Sequence, residues 1–186
     1  MSTKKITFKE FLLEISLNKV DSETKKGFPT TKKRYRAVNR VVVTNPSYVA
    51  YDQSGQLLCT ANTKSTDSTG GPYKTTIMFT DVKFVPDDEA RMDPSLLKVT
   101  SAGGETKQYE PLFIHTANVK MNCTCESEYF DFEKYHQRND SLAGEPRPPY
   151  VRKTKDRPPR NPMKVLGGCK HILAFAQYLK RARVVK

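Results

Sequence analysis

Hydrophobic and polar positions follow two different periods along this chain of 186 residues. Near its start, four apolar residues recur at the three- and four-residue spacing of one helical face: Phe8, Phe11, Leu12 and Ile15. Thr7 and Glu10 form a capping-box pattern where that face begins. The spacing predicts a short amphipathic helix over about residues 8–17, followed by a polar, basic linker over residues 19–36.

From residue 36 the pattern changes to short β-favouring runs, which cover residues 38–43, 48–51, 57–61, 75–85, 96–100 and 111–124. Turn residues separate the first runs at Asn45-Pro46 and at 52–55, and the second of these turns predicts a hairpin. The alternation over 75–85 slips once, at Thr80-Asp81, which predicts a bulge. About six strands at this spacing are typical of a small antiparallel β barrel or sandwich.

The last third of the chain contains a Pro/Arg-rich insertion at residues 144–162, which cannot form regular helix or interior strand. After it, the segment 170–185 follows the helical period, with four residues on the inward face: Ile172, Phe175, Ala176 and Leu179. The predicted fold class is therefore α+β, mainly β. It has three parts: an N-terminal helix with a basic arm (1–35), a β-rich domain (36–125) and a C-terminal segment with the insertion (119–186).

Charge is distributed unevenly along the chain, whose net charge is +12. Residues 1–46 carry 11 Lys/Arg against 4 Asp/Glu, residues 47–145 carry 9 against 15, and residues 146–186 carry 12 against 1. Two basic ends around an acidic middle predict contacts with nucleic acid or acidic protein surfaces, or folding of the ends onto the middle. No apolar run spans a bilayer and no signal-peptide pattern is present, so we expect a protein of the reducing cytosol without membrane contact.

Two pairs of potential metal ligands share one spacing: Cys123 with Cys125, and Cys169 with His171 after 43 intervening residues. Residues two apart in a strand project from the same face, so the first pair can direct both sulfurs to one point. The second pair can chelate if Cys169 precedes a helix and His171 lies in its first turn, and Gly167-Gly168 give the backbone freedom for that turn. Three thiolates and one imidazole predict one structural Zn²⁺ in a closed tetrahedral site, without a position for a catalytic water.

The CxC and CxH pairs resemble the signature of SWIM-type zinc fingers, in which a β-hairpin carries the first pair and the start of a helix carries the second. The resemblance covers residues 119–179, about a third of the chain. Cys123, Cys125, Cys169 and His171 match the signature position by position. The 43-residue insertion is long for that family, but the entropy of loop closure grows only logarithmically with loop length.

The aromatic cluster after CxC, the PPYVRKTKDRPPRNP stretch and the GGCKHILA run also look like small virion proteins of tailed bacteriophages that carry a SWIM-like finger. That resemblance implies a structural virion protein, made in the host cytoplasm, which ties neighbouring particle proteins together through its basic arms. The alternative is a nucleic-acid-binding zinc finger that acts in phage replication or transcription. No GxSxG, Walker or HExxH pattern is present, so we expect no enzymatic activity and no small-molecule substrate.

Six cations of the insertion are candidates for binding a protein partner or nucleic acid: Arg147, Arg152, Lys153, Lys155, Arg157 and Arg160. An extended proline-rich arm with these groups suits an acidic protein groove or, weakly and without sequence preference, DNA phosphates. A solvated loop explains the same composition. The nearby aromatic side chains could stack on bases, although packing around the metal is the more common role of such a cluster: Tyr129, Phe130, Phe132 and Tyr135.

The metal hypothesis has alternatives. The four residues could be unrelated buried side chains, or the cysteines could form disulfides, although nothing in the sequence indicates secretion. Cys59 lies in an apolar strand and is predicted to be a core thiol. His115 and His136 are predicted to be partnered or solvated rather than a fifth ligand or a base.

Overall fold

The computed structural model describes residues 15–29, 35, 37–86, 93–151 and 160–186, which form an α+β structure that is mainly sheet. In chain order the elements are α1 (Leu17–Gly27), β1 (Val41–Tyr51), β2 (Gln56–Ser65), β3 (Tyr73–Phe79), β4 (Phe84–Val85), β5 (Leu97–Thr100), β6 (Thr106–Tyr109), β7 (Val119–Cys123), α2 (Glu126–Asp131), α3 (Glu133–Arg138) and α4 (Lys170–Arg181). Short 3-10 helices cover Ala37–Arg40 and Asp52–Ser54. None of these helices is long and apolar enough to cross a membrane.

The strands form two antiparallel sheets. The larger sheet has the order β1-β2-β3-β7, and the smaller sheet has the order β4-β6-β5. Since β1 and β7 are opposite edges of the larger sheet, neither sheet closes on itself within the described residues, and the barrel form of the sequence prediction is wrong. The coarser prediction of a mainly-β α+β fold is confirmed.

Helix α4 packs across one face of the larger sheet and shares its core. Its inward side chains are those predicted from the helical period, and they join a single apolar cluster with buried strand residues such as Leu57, Ile77 and Met121. The helix ends at Arg181, four residues before the predicted end. Val184 and Val185 are nevertheless buried, and the carbonyl of Val184 accepts a hydrogen bond from the Tyr109 hydroxyl at 3.0 Å.

Helix α1 occupies the first part of the stretch predicted to be a linker, so that prediction is wrong for residues 19–27. The hydroxyl of Ser16 caps the helix by accepting a hydrogen bond from the Lys19 amide at 3.3 Å. Most residues of this stretch are polar, but three on one side of the helix are buried: Leu17, Val20 and Thr24. The helix predicted over about residues 8–17 lies outside the described residues except for its last three positions.

Two of the predicted turns and bulges have different roles in the structure. Asn45-Pro46 does not separate two strands but forms a bulge inside β1, where the register with β2 shifts and Asn45 adopts a φ of 49°. Thr80-Asp81 is not a bulge but the point where the chain leaves the larger sheet for β4 in the smaller one, with Asp81 at a φ of 59°. The hairpin at 52–55 is confirmed, and Gly55 supplies its left-handed residue at a φ of 62°.

Candidate metal centre

Four buried side chains converge beside the N-terminus of α4. The sulfurs of Cys123, Cys125 and Cys169 and a ring nitrogen of His171 all lie within 4.8 Å of one another. These are the four ligands predicted from the sequence. A group of this composition and spacing can hold one metal ion.

The first pair is placed by the end of the larger sheet. Cys123 is the last residue of β7, and Cys125 is the N-cap of α2 with an extended backbone, so the two-residue spacing keeps both sulfurs on one side. The Glu128 amide donates to Cys125 Sγ at 3.4 Å. The hydroxyl of Thr75, on neighbouring β3, donates to Cys123 Sγ at 3.5 Å. Each of these two sulfurs therefore accepts one hydrogen bond from the protein around it.

The second pair is placed by the start of α4, as the sequence predicted: Cys169 is the N-cap and His171 lies in the first turn. The preceding glycines serve a different purpose from the predicted one, since neither has a positive φ. A Cβ on Gly167 would lie 2.5 Å from Thr24 Oγ1 and 2.7 Å from the Phe132 ring. Gly167 is required by this close approach and not by an unusual backbone conformation.

The side chain of His171 is buried beside the three sulfurs, in a position suited to a metal ligand. It is 4% exposed, and neither ring nitrogen has a hydrogen-bond partner among the described residues. A buried imidazole without partners is costly. Coordination of a metal by one nitrogen removes most of that cost, and the Tyr73 ring, 4.9 Å away between centroids, holds the imidazole from one side.

The three thiols constrain one another electrostatically. Hydrogen bonds from Cys123 and Cys169 hold the pKa of Cys125 far below its ordinary value. Burial raises the pKa of the Cys169 thiol, and the two neighbouring sulfurs raise it further. The group by itself therefore favours one thiolate stabilised by two thiols, whereas a bound cation would allow all three sulfurs to ionise.

A buried polar chain supports the centre from behind. The Glu128 carboxylate accepts a hydrogen bond from the Cys169 amide at 3.1 Å, and its other oxygen lies 3.1 Å from His136 Nε2. His136 Nδ1 in turn lies 3.0 Å from Ser141 Oγ. His136 is thus partnered, as predicted, while Glu128 was missed. Its only sequence signal is its position three residues after Cys125, in the first turn of α2.

Arg147, predicted to bind a partner, makes extensive contacts within the chain. Its guanidinium forms a two-pronged ion pair with Glu133, which is 4% exposed, and donates to the carbonyls of Cys123 and Thr124 at 3.2 Å each. Arg160 is also engaged within the chain, through an ion pair of 3.0 Å with Asp131. The other four cations lie outside the described residues: Arg152, Lys153, Lys155 and Arg157.

The aromatic cluster lies on α2 and α3 and not on a strand. Tyr129 and Phe130 pack against Tyr150 at the base of the insertion, and the guanidiniums of Arg147 and Arg160 lie over their rings at 4.6 and 5.3 Å. The other two aromatic residues also contact side chains of this chain: Phe132 packs against Phe28, and Tyr135 lies beside Arg138. These rings fasten both ends of the insertion to the helices that follow the first ligand pair.

The remaining cysteine and histidine are separate from the centre. Cys59 is fully buried in the core, and burial raises the pKa of its thiol, as expected for an inert core residue. His115 is exposed in a turn beside Phe113.

Comparison of the chain with protein-family models, with curated proteins and with solved structures finds no match.

Proposed function

We propose that this chain is a structural zinc protein in which one Zn²⁺ ties the end of the larger sheet to the C-terminal helix. The observation that carries the proposal is the buried Cys3His group, in which the His171 ring has no other partner. Three sulfurs and one imidazole are a ligand set typical of structural zinc. Since all four positions come from protein, the metal would supply stability and not a bound water for catalysis.

The placement of the ligands supports a SWIM-type assignment in one respect and departs from it in another. Cys169 and His171 lie at the start of a helix, as in that family. Cys123 ends a strand whose partner, β3, is distant in sequence, and Cys125 starts a helix rather than a hairpin return. The SWIM-like reading therefore rests on the CxC and CxH spacing and on the helix start.

We further propose that the protein acts by holding other proteins together, as a component of a tailed-phage particle. Support comes from the sequence resemblance and from the basic ends of the chain. Because Arg147 and Arg160 are engaged internally, the cations left for a partner in the insertion are Arg152, Lys153, Lys155 and Arg157, together with the basic residues of 1–46. Such a partner would present acidic groups.

Metal analysis of the purified full chain tests the zinc proposal. We expect one equivalent of zinc, and X-ray absorption should show three sulfur neighbours and one nitrogen neighbour. Protein prepared without exposure to chelators that carries less than half an equivalent of any metal would reject it.

The particle proposal has a separate test. Fractionation of infected cells should recover the protein with purified particles in a fixed copy number, and a chain in which Arg152, Lys153, Lys155 and Arg157 are changed to Gln should incorporate poorly. Recovery of the intact protein only in the soluble lysate would reject the particle assignment and leave the zinc assignment standing.

A further inference from the structure

The face of the larger sheet opposite α4 carries an ordered set of side chains, of which only those on β7 contact another described segment through their polar groups. Along β2 and β3, these residues alternate with the buried ones that face α4. We call this surface the outer face. No described helix packs across its four strands, and a shallow groove of about 500 Å³ runs over its centre.

Strand register arranges the outer face in rows of different chemistry. One row is apolar for three strands, since Val49 lies opposite Leu58 and Leu58 lies opposite Met78. The next row offers hydroxyl and amide groups, with Thr60 opposite Thr76 and Thr76 opposite Asn122. The Asn122 side chain is already engaged at the end of this row, where its Nδ2 donates to the Ala143 carbonyl at 3.1 Å, so Thr60 and Thr76 are the polar groups left for a ligand.

An exposed aromatic ring lies beside the apolar row, in the neighbouring row where Tyr51 pairs with Gln56. Tyr51 is 45% exposed, and it lies two residues from Val49, which is 40% exposed. Three of the large apolar side chains exposed on the described surface belong to β1: Val42, Val49 and Tyr51. Exposed apolar groups gathered on one strand mark a surface that binds something.

Charge identifies the kind of partner. The paired rows of the outer face contain no carboxylate, and lysines border them at Lys64, Lys74 and Lys120. Lys120 forms an ion pair with Asp140, whereas Lys64 and Lys74 are exposed and form no ion pair with a described residue. A second copy placed face to face would bring the same lysines together, which disfavours self-association through this face.

We propose that the outer face binds single-stranded nucleic acid. Each part of a nucleotide has a counterpart there: a ring and an apolar row for the base, hydroxyls for base edges and sugar, and lysines for phosphate. A duplex keeps its base faces stacked inside, so it cannot use Tyr51 in this way. The Cys123 ligand lies on the buried, opposite face of the sheet, whereas Gly144 at the start of the insertion borders the groove.

Fluorescence anisotropy with a short labelled oligothymidylate, and with a hairpin duplex of equal length, tests the proposal on the full chain. We expect the single strand to bind more tightly than the duplex. Tyr51→Ala should weaken single-strand binding by about tenfold, since stacking on one aromatic side chain contributes this order of affinity. The change Lys64→Ala with Lys74→Ala should reduce the slope of log affinity against log salt by about 1.4, or about 0.7 per phosphate contact.

Matched controls separate this face from the basic ends of the chain. Phe113 is also 45% exposed but lies elsewhere, so Phe113→Ala should leave affinity unchanged. Lys98→Ala with Lys180→Ala removes two exposed lysines away from the outer face. All these residues are exposed, and circular dichroism checks that each variant folds. Three results would overturn the proposal: no binding of the single strand at low salt, equal binding of single strand and duplex, or equal loss of affinity in the outer-face variants and the control variants. The first result is also expected if the outer face binds an acidic protein instead.

Discussion

At the scale of single residues, environment decides what a cysteine does in this protein. Cys59 and Cys169 are both fully buried, but Cys59 lies among apolar side chains of the core while Cys169 lies against two other sulfurs and an imidazole. Burial raises the pKa of both thiols. Only Cys169 lies beside other potential metal ligands, so only there could a bound cation lower the pKa of the thiol again.

This difference gives a matched pair of substitutions. Cys169→Ser should abolish metal binding, because a hydroxyl at this position cannot replace the thiolate. Cys59→Ser should keep the full metal content and lose about 1–3 kcal/mol of stability, the cost of a buried hydroxyl without a partner. Metal content per chain and urea denaturation measure the two effects. Equal metal content in both variants would contradict the assignment of Cys169 as a ligand.

Gly167 provides a second prediction at this scale. Gly167→Ala should destabilise the protein by about 1–3 kcal/mol, because the new methyl group would overlap Thr24 and Phe132. Gly71→Ala is the control, since a Cβ there meets no atom within 4 Å and should change stability little. Chemical denaturation of both variants, loaded with metal, measures the difference. Equal stability would show that α1 moves away from Gly167 without cost.

Individual residues were predictable where spacing alone carries the chemistry. The four ligands occur as two pairs, and one residue separates the members of each pair. Any fold that brings the two pairs together keeps this local arrangement. Glu128 and Arg147 were not predictable in their roles, because each acts through atoms distant in sequence. Glu128 contacts an amide 41 residues away, and Arg147 reaches the Cys123 carbonyl 24 residues away. An arginine in a basic stretch gives no sign that a buried Glu133 will neutralise it.

At the scale of elements, the base of the insertion is fixed to the metal-binding segment by Arg147. Its guanidinium pairs with Glu133 on α3, bonds to the carbonyls of Cys123 and Thr124 between the first two ligands, and lies over the ring of Tyr129. One side chain thus joins three pieces of chain. The described start of the insertion is held next to the candidate metal centre by this anchor.

Arg147→Ala should therefore free the insertion without removing the metal. We expect a loss of about 1–3 kcal/mol of stability, because Glu133 is left buried without its partner. Trypsin should cut faster after Arg152, Lys153 or Lys155, while metal content stays near that of the intact chain. Arg138→Ala is the control, since the structure gives Arg138 only a contact with the Tyr135 ring at 6.0 Å. Unchanged cleavage rates in Arg147→Ala would contradict the anchoring role.

Helices and strands were predicted correctly where the spacing of apolar residues was regular. They were predicted wrongly where contacts with distant parts of the chain determine the local structure. Helix α4 and the hairpin at 52–55 followed from local pattern. The Thr80-Asp81 irregularity did not reveal a change of sheet, because a bulge and a sheet switch leave the same local signature. Helix α1 was missed because Thr24, polar in sequence, is buried by a hydrogen bond to Gly168.

At the scale of the whole molecule, the metal centre lies at the junction of the sheet and α4. Both contribute to one apolar cluster, and Cys169 begins the helix whose side chains cover the strands. Loss of the metal would release the start of α4 and with it the cover of the core. The two parts should therefore unfold together.

Chelation should lower the unfolding temperature of the full chain in a single transition. Hydrogen exchange should then accelerate at the amides of Ile77 and Phe79 in the sheet as well as in α4, because both lose their shared core. The same chelator saturated beforehand with zinc serves as the control and should have no effect. Sheet amides that keep their protection while α4 exchanges freely would show that the sheet is stable without the helix.

The hydrogen bond from the Gly168 amide to the Thr24 hydroxyl, 2.9 Å long, also sets the order of events on the ribosome. The two residues are 144 positions apart, so at about 5–20 residues per second α1 leaves the exit tunnel roughly 7–30 seconds before its partner is made. Until α4 is made, Leu17 and Val20 lack the part of their core that this helix supplies. Docking of α1 and closure of the metal site are thus late steps of biosynthesis, and the nascent chain carries an exposed apolar stripe that chaperones can bind.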